Sequence, residues 1–371
     1  MSSNSLDRRT FLKLLAASGA VPCAFTSEFV HAAESPLVVG ILYSGSKQDY
    51  GYNQSHALAA AELKKVPGIK VVEEERVPET IAAQRSMEGM IRQDGAKLVI
   101  ATSFGYFKPH VQELAKKYPD VTFAHAGGLW TPGMPENIGT FYGYIFAAQY
   151  MSGVVAGHMT KTRKLGVVAA KPTPNLIRSI NAFTIGARSV DPAIQVQVIF
   201  TGDWVLPVRE AESANSLADQ GVDVIACNVD SPKVVVETAE KRGVMSIGYH
   251  SSQANVAPKG FLTGAEWNWI VPYMEFVKGI RAGQKPVHYL RGGMSEKFVK
   301  NTLFGNAVSP KARAAAEQIR AELLSGARVI YAGPLKDNKG NVVIPAGTVY
   351  RDNDRALDSI NYFVDGVVGE V

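Results

Sequence analysis

The chain has 371 residues, 46% of them hydrophobic, which is enough for full-sized cores in about two domains. Its formal net charge is +5 at pH 7, and the basic residues are dispersed rather than arranged in a stripe with aromatics, which argues against nucleic-acid binding. The two cysteines are Cys23 and Cys227. Because Cys23 falls in a segment expected to be removed, no intramolecular disulfide is predicted.

Residues 1–33 are predicted to be an export signal. Arg-Arg-Thr-Phe-Leu-Lys at residues 8–13 is a twin-arginine pattern, followed by an apolar run at 14–25 and a small-residue exit at 30–32. The alternative is a surface helix that begins with two arginines. Pro22 precedes Cys23 where a lipid-anchor signal needs a small residue, so no lipid anchor is expected. We therefore expect a mature periplasmic protein, with no later segment long and apolar enough to cross a bilayer.

Residues 38–72 and 165–198 repeat one pattern of strand, loop, helix and second strand. The spacing from Gly40 to Pro67 is 27 residues, and the spacing from Gly166 to Ala193 is also 27. Alternation of strands and helices at this spacing is typical of parallel sheets. The repeat therefore predicts two similar doubly wound α/β lobes with a ligand cleft between them.

The elements of the first lobe alternate in chain order. Its predicted strands are Leu37–Tyr43, Ile69–Glu75, Leu98–Thr102, Thr122–Ala126 and Ile138–Phe141, and its predicted helices are Ser55–Lys65, Ile81–Gln93 and Pro109–Lys117. The second lobe repeats the alternation. Its predicted strands are Leu165–Ala170, Gln195–Phe200, Val224–Asn228, Met245–Tyr249 and Gly260–Thr263, with helices Tyr150–Met159, Leu176–Val190, Arg209–Gln220 and Pro232–Arg242.

The chain is expected to form the first lobe from residues 34–145 and the second from residues 146–269. A helix at Val271–Ala282 leaves the second lobe, and residues 270–371 are predicted to return and complete the first lobe. Within that stretch the pattern indicates short strands at Val287–Leu290 and Thr302–Phe304, a helix at Lys311–Leu324 and a hairpin within 331–351.

Ligands of parallel α/β sheets bind beyond the carboxyl ends of the strands, and this rule selects the candidate site. The loops at those ends combine aromatic faces with amides and hydroxyls, which suits a flat heterocycle with polar edges. For any single aromatic, packing at a lid or hinge is the alternative. The candidate ligand-binding residues are Ser44, Tyr52, Asn53, Ser103, Phe104, Gly105, Tyr106, Trp204, Asn228, Asp230, His250, Glu266 and Trp267.

An enzyme is the weaker interpretation. The chain has no G-x-S-x-G, P-loop, G-x-G-x-x-G after a strand or H-E-x-x-H motif, and its seven histidines show no metal spacing. His250 and Glu266 remain open as an acid–base pair of an enzyme, although hydrogen bonding to a ligand is the favoured explanation of the two residues. No cofactor, metal or catalytic residue is predicted.

Several motifs, in this order and spacing, resemble the basic membrane protein (BMP) family of ABC-transporter substrate-binding proteins, which have the type I periplasmic binding protein fold. The motifs are Tyr-Asn-Gln at 52–54, Ala-Thr-Ser-Phe-Gly-Tyr at 101–106, Lys-Tyr-Pro-Asp-Val-Thr-Phe at 117–123, Tyr-Met-Ser-Gly-Val at 150–154, Gly-Ala-Arg-Ser-Val-Asp-Pro at 186–192 and Gln-Gly-Val-Asp-Val-Ile at 220–225.

The resemblance implies a purine ligand whose base lies between two aromatic rings, here Tyr52 and Trp204. The family's ribose-binding aspartate and lysine correspond to about His250 and Glu266, and this departure favours a free base such as adenine over a nucleoside. It also implies an ABC permease and an ATPase as partners, contact with the membrane only through the permease, and a monomer. A receptor that feeds a sensor kinase is the alternative for the partner, and a purine-directed enzyme that uses His250 and Glu266 is the alternative for the activity.

Overall fold

The computed structural model describes residues 35–371. The predicted twin-arginine signal and Cys23 lie outside this range. Within it, none of the helices combines the length and the apolar character that a membrane crossing requires.

The first lobe is built on a parallel sheet whose strands are buried by helices on both faces. Strand β3 (Leu98–Ala101) reads Leu-Val-Ile-Ala and is buried throughout, as expected for the centre of such a sheet. The strand order is β11-β5-β4-β3-β1-β2. The other strands are β1 (Leu37–Leu42), β2 (Ile69–Glu74), β4 (Thr122–Ala126), β5 (Ile138–Gly143) and β11 (Leu290–Gly292), and the helices are α1 (Tyr52–Leu63), α2 (Ile81–Arg92) and α3 (Gln112–Lys117).

The second lobe repeats this plan, so the prediction of two similar α/β lobes is confirmed. Its strand order is β12-β10-β9-β8-β6-β7-β17, and only the edge strand β12 (Val299–Asn301) runs antiparallel to its neighbour. The other strands are β6 (Lys164–Ala169), β7 (Gln195–Phe200), β8 (Val224–Asn228), β9 (Met245–His250), β10 (Phe261–Trp267) and β17 (Val367–Val368), and the helices are α4 (Phe146–Met159), α5 (Pro174–Arg188), α6 (Pro207–Asp219) and α7 (Lys233–Lys241).

The stretch after residue 270 divides between the two lobes and does not complete the first one as predicted. Helix α8 (Ile270–Arg281) contacts α1, and β11 joins the first sheet, but β12 and β17 cover the two edges of the second sheet. Helix α9 (Pro310–Leu324) packs on α4 in the second lobe. Exposed strand edges favour aggregation, so the chain after residue 270 covers β10 with β12 and β7 with β17.

Two details of that stretch differ from the sequence prediction. The short strand predicted at Thr302–Phe304 lies earlier, as β12, because Val299 and Asn301 are the residues buried against β10. The hairpin predicted within 331–351 forms as two short antiparallel pairs. The paired strands are β13 (Tyr331–Ala332) with β16 (Val349–Tyr350), and β14 (Leu335–Lys336) with β15 (Val342–Ile344).

Helices α4 and α5 cross at two glycines that bring their backbones together. A Cβ at Gly153 would overlap the carbonyl oxygen of Phe183, and a Cβ at Gly186 would overlap the carbonyl oxygen of Tyr150. Nearly all of α4 is buried, so the close approach anchors the helix through which the chain enters the second lobe.

We predict that Gly153→Ala lowers the free energy of unfolding by about 3 kcal/mol, because the backbones must separate to admit a methyl group. Gly89→Ala is the matched control, since Gly89 also lies within a helix but a Cβ there meets no atom within 4 Å. It should be neutral or stabilising by up to about 1 kcal/mol. Urea unfolding of both variants checks this, and equal midpoints would contradict the packing argument.

Candidate functional site

The carboxyl ends of the two sheets face each other, and the loop before α1 joins them. The backbone N–H of Tyr52 donates to the carbonyl oxygen of Asp230 (2.9 Å). The Ser231 hydroxyl donates to the carbonyl oxygen of Asp49 (2.8 Å), and the Gln253 amide donates to the carbonyl oxygen of Tyr50 (2.5 Å). The two lobes are therefore in direct contact across the cleft.

Gly51 allows this contact because it has no side chain. A Cβ at Gly51 would overlap the carbonyl oxygen of Asp230. The Asp49 carboxylate holds the loop in shape by accepting the N–H groups of Gly51 (2.8 Å) and Asn53 (3.0 Å). The Asn53 side chain accepts the N–H of Gly45 (3.1 Å), so this candidate residue stabilises the loop between β1 and α1.

The Tyr52 ring lies between the lobes. Its hydroxyl donates to the carbonyl oxygen of Thr102 (2.7 Å), and its ring meets His250 of the second lobe edge to face with centroids 5.4 Å apart. Burial raises the pKa of Tyr52 well above its usual value, so the hydroxyl stays neutral. Tyr52 thus presents a rigid aromatic ring at the interface of the two lobes.

His250 and Trp267 form a hydrogen-bonded pair at the adjoining strand ends of the second sheet. The Trp267 indole N–H donates to His250 Nδ1 (2.7 Å). An indole nitrogen can only donate, so Nδ1 carries the lone pair and the proton of the neutral ring lies on Nε2. His250 Nε2 lies 3.5 Å from Asp230 Oδ1. His250 therefore points an N–H group towards the Asp230 carboxylate.

A stack of rings continues from this pair into the first lobe. Trp267 stacks on Trp269 (centroids 4.5 Å apart), and Trp269 stacks on His56 of helix α1 (4.8 Å). Burial lowers the pKa of His56 well below its usual value, so this imidazole is neutral. The stack therefore links the end of β10 rigidly to helix α1 of the first lobe.

Tyr142 and Asn175 also bridge the lobes, and the sequence analysis did not select them. The Asn175 amide donates to the Tyr142 hydroxyl (3.1 Å), and burial raises the pKa of Tyr142 to about 12. Tyr142 lies at the carboxyl end of β5, so the strand-end rule could have found it had it been applied to that strand. Asn175 begins α5 after a strand-end loop, but nothing in the sequence shows that it faces Tyr142.

The Ser103–Tyr106 loop belongs mainly to the first lobe. The Glu79 carboxylate accepts the Ser103 hydroxyl and the N–H of Gly105, and Tyr106 is fully buried with its hydroxyl on the carbonyl oxygen of Val77 (2.5 Å). Phe104 is 76% exposed. The rings of Phe104 and Tyr142 lie next to Gly127, so of this loop Phe104 is the residue nearest the cleft opening.

Trp204 and Asn228 reach the same region from the second lobe. The Asp230 N–H donates to the carbonyl oxygen of Trp204 (3.0 Å), so one peptide segment contacts both Trp204 and Tyr52. The Trp204 ring is partly exposed, with the Lys171 ammonium 5.9 Å from its centroid. Asn228 ends β8 and is buried, and its Nδ2 has no hydrogen-bond partner within residues 35–371.

The Glu266 side chain interacts with residues at the edge of the second sheet and not with His250. It accepts the Thr302 hydroxyl (2.5 Å), and the Lys300 ammonium lies 3.5 Å from its other oxygen. In the described part of the chain no hydrogen bond links Glu266 to His250, whose polar neighbours are the Trp267 indole and the Asp230 carboxylate. The Ser44 hydroxyl donates to Asn53 Oδ1 (3.4 Å) within the first lobe.

The model of a family described as "ABC transporter substrate-binding protein PnrA-like" matches residues 37–302. The chain belongs to this BMP family. It is also 34% identical to a purine-binding protein of Brucella abortus over 90% of this chain and 94% of that protein. It is 30% identical to a putative ABC transporter glucose-binding protein of Haloferax volcanii, over 75% of this chain and 67% of that protein.

Solved structures show the same fold. An ABC transporter solute-binding protein from Conexibacter woesei superposes with a TM-score of 0.66 at 22% identity, covering 79% of this chain and 97% of that one. A transcriptional activator of the comK gene from Bacillus halodurans gives 0.69 at 23% identity, covering 78% and 99%. The predicted family and the type I periplasmic binding protein fold are confirmed. Such BMP proteins bind small molecules outside the cytoplasm and work with permease and ATPase subunits.

We predict that Gly51→Ala weakens ligand binding at least ~10-fold while leaving each lobe folded, because the methyl group would overlap Asp230 and crowd Pro232, both of the opposite lobe. Ser231→Ala removes a single hydrogen bond between the lobes and should weaken binding less, by about 1 kcal/mol. Calorimetric titration and thermal unfolding without ligand separate the two effects. A Gly51→Ala variant that binds like the unmodified protein would contradict this role.

His125 supplies a pH prediction. It donates from Nε2 to the carbonyl oxygen of Ser103 (2.8 Å), and burial lowers its pKa to about 4. In the unfolded chain its pKa is about 6.5, so unfolding takes up a proton between these values and stability falls as the pH drops below 6.5. At pH 5 the loss is about 2 kcal/mol relative to pH 7.5.

His125→Gln should remove that part of the pH dependence. The difference in unfolding free energy between pH 7.5 and pH 5, measured with urea, should shrink by about 2 kcal/mol in the variant. Parallel pH curves for the two proteins would show that His125 does not titrate in this way.

Proposed function

We propose that this protein binds a purine, with a free base such as adenine preferred, in the cleft between its lobes and delivers it to an ABC permease. The observation that carries the proposal is the meeting of Tyr52 from one lobe with His250, Trp267 and Asp230 from the other. The similarity to a purine-binding protein along 90% of the chain supports the same ligand class.

The chemistry around Tyr52 suits a planar heterocycle. Tyr52 and Trp204 offer aromatic faces, and stacking contributes about 1 kcal/mol per ring beyond burial. Asn228 and His250 each hold a buried N–H donor without a hydrogen-bond partner in residues 35–371, and Asp230 supplies an acceptor. A purine carries both ring-nitrogen acceptors and N–H donors on its edges, so both kinds of group find partners.

The preference for a base over a nucleoside follows from two side chains. Glu266 is held by Thr302 and Lys300 at the sheet edge, and His250 is held by Trp267. Neither Glu266 nor His250 is therefore a free charged group that would bind the hydroxyls of a ribose. A purine nucleoside remains the alternative ligand of the same cleft.

Glucose is a second candidate, because a relative is described as a putative glucose-binding protein. Sugar rings also stack on aromatic faces, so Tyr52 alone does not discriminate. The donors at His250 and Asn228 would serve a sugar as well, and only direct titration separates the two ligand classes.

Transport rather than catalysis is the role that this site supports. The candidate acid–base pair of His250 and Glu266 does not come together, because each side chain is engaged elsewhere. We further propose a monomer that reaches the periplasm through the twin-arginine signal in residues 1–33 and works without a lipid anchor at Cys23.

The test is titration of protein that has been unfolded in guanidinium and refolded to remove any retained ligand. We expect adenine to bind with micromolar or tighter affinity, adenosine more weakly, and glucose not at all at millimolar concentration. Lobe closure should reduce the radius of gyration in small-angle X-ray scattering. A protein that binds glucose, or none of the purines, would overturn the proposal.

Two variants at Tyr52 sharpen the test. Tyr52→Ala removes the ring and should weaken adenine binding at least ~10-fold. Tyr52→Phe keeps the ring and loses only the hydroxyl contact with Thr102, so its affinity should stay within about threefold. Equal losses in both variants would assign the effect to the hydroxyl rather than to stacking.

A further inference from the structure

We infer that Trp267 is a positioning residue that fixes His250 as an N–H donor beside the Asp230 carboxylate, and that this donor–acceptor pair recognises the edge of a free purine base where a ring nitrogen adjoins an N–H group. The inference rests on the proposed function, because it identifies the edge of the purine that forms hydrogen bonds in the cleft.

The first step is that packing fixes the orientation of the Trp267 indole, which donates to His250. Its indole is buried, stacks on Trp269 at 4.5 Å and lies 5.2 Å from the Tyr142 ring. A Cβ at Gly143 would stand 2.7 Å from the same indole, so the backbone also packs against it. The direction of the indole N–H towards His250 Nδ1 is therefore fixed by packing on several sides.

The second step is that His250 is held in an unfavourable backbone conformation. Its φ is +69°, in the left-handed region that residues other than glycine adopt infrequently. Such conformations persist where the surrounding structure imposes them, often at ligand sites. At His250 the consequence is a ring placed between Trp267, Asp230 and Tyr52.

The third step is that protonation of His250 conflicts with Trp267. An imidazolium carries hydrogen on both nitrogens, so its Nδ1–H would oppose the Trp267 N–H. In the neutral ring, the Trp267 N–H therefore fixes the proton on Nε2. The titratable groups that surround it are Asp230 after β8, Tyr249 on the same strand, and Tyr52 and His56 on α1, while Glu266 is its register neighbour on β10.

The fourth step is that His250 Nε2 and Asp230 are available to a ligand. Their separation of 3.5 Å is too long for a good hydrogen bond, and Nε2 is buried without a hydrogen-bond partner in the described residues. The Asp230 side chain is 31% exposed. A ligand that accepts from Nε2 and donates to the carboxylate satisfies both groups at once.

A free purine base has such an edge. Its N3 accepts a hydrogen bond and the neighbouring N9–H donates one, so N3 pairs with His250 and N9–H pairs with Asp230. A nucleoside carries ribose on N9 in place of this hydrogen, which leaves the Asp230 carboxylate without the donor that a free base provides. The pair therefore selects bases against nucleosides.

The test is calorimetric titration with adenine and 9-methyladenine, which differ only in the N9 hydrogen. The unmodified protein should bind 9-methyladenine at least ~100-fold more weakly than adenine. Asp230→Ala should weaken adenine binding but leave the affinity for 9-methyladenine unchanged. Equal losses for both ligands, or equal affinities in the unmodified protein, would overturn the inference while purine binding itself stands.

Trp267→Phe tests the positioning role separately. It keeps a ring in the stack but frees His250 Nδ1 to hold the ring proton in place of Nε2, so adenine affinity at pH 8 should fall at least ~3-fold relative to the unmodified protein. Lowering the pH to 5 should restore the affinity, because an imidazolium carries hydrogen on both nitrogens. Trp269→Phe is the matched control, because the Trp269 indole donates to Ser55 and not to His250. A pH profile unchanged in Trp267→Phe, or changed equally in both variants, would contradict the role.

A measurement without ligand separates this inference from the proposed function. In nitrogen-15 spectra of histidine, with His250 assigned by loss of its signals in His250→Gln, the ligand-free protein should show a single neutral tautomer with the proton on Nε2. Trp267→Phe should show a mixture of tautomers. A proton on Nδ1 in the unmodified protein would overturn the inference whether or not any purine binds.

Discussion

The structure of the cleft depends on the close backbone contact between Gly51 and Asp230. The absence of a side chain at Gly51 lets the Tyr52 N–H reach the Asp230 carbonyl, and the Asp230 N–H reaches Trp204. The backbone of Asp230 therefore holds both Tyr52 of the first lobe and Trp204 of the second lobe in position. The hydrogen bonds of Ser231 to Asp49 and of Gln253 to Tyr50 strengthen the same junction, so the relation between Tyr52 and His250 is fixed at several points around Gly51.

Burial keeps the groups around this contact neutral. The pKa of His56 is lowered, and the pKa values of Tyr52 and Tyr142 are raised, because charge is costly in the buried stack. Rigid neutral groups cost little to order when a ligand binds. The rings and N–H groups around Tyr52 and His250 are thus preorganised, and Asp230 supplies the carboxylate among them.

The fold followed well from the sequence, because each buried strand of a doubly wound sheet is a continuous apolar run. The runs at β1 and β6 and their equal spacings predicted two lobes, and both formed. The return of the chain after α8 was not predictable in the same way. Strands as short as β12 and β17 carry no periodic signal of their own, and their positions are set by the open edges of the second sheet.

The site was partly predictable, and the residues that differ show why. The rule of strand carboxyl ends selects positions along the chain, but it does not say on which side of the strand a side chain lies. Glu266 and Trp267 are neighbours at the end of β10, yet Trp267 turns to His250 while Glu266 turns to Thr302. Tyr106 enters the core of the first lobe for the same reason. The bridge from Asn175 to Tyr142 depends on the angle between the lobes, and only the folded structure contains that angle.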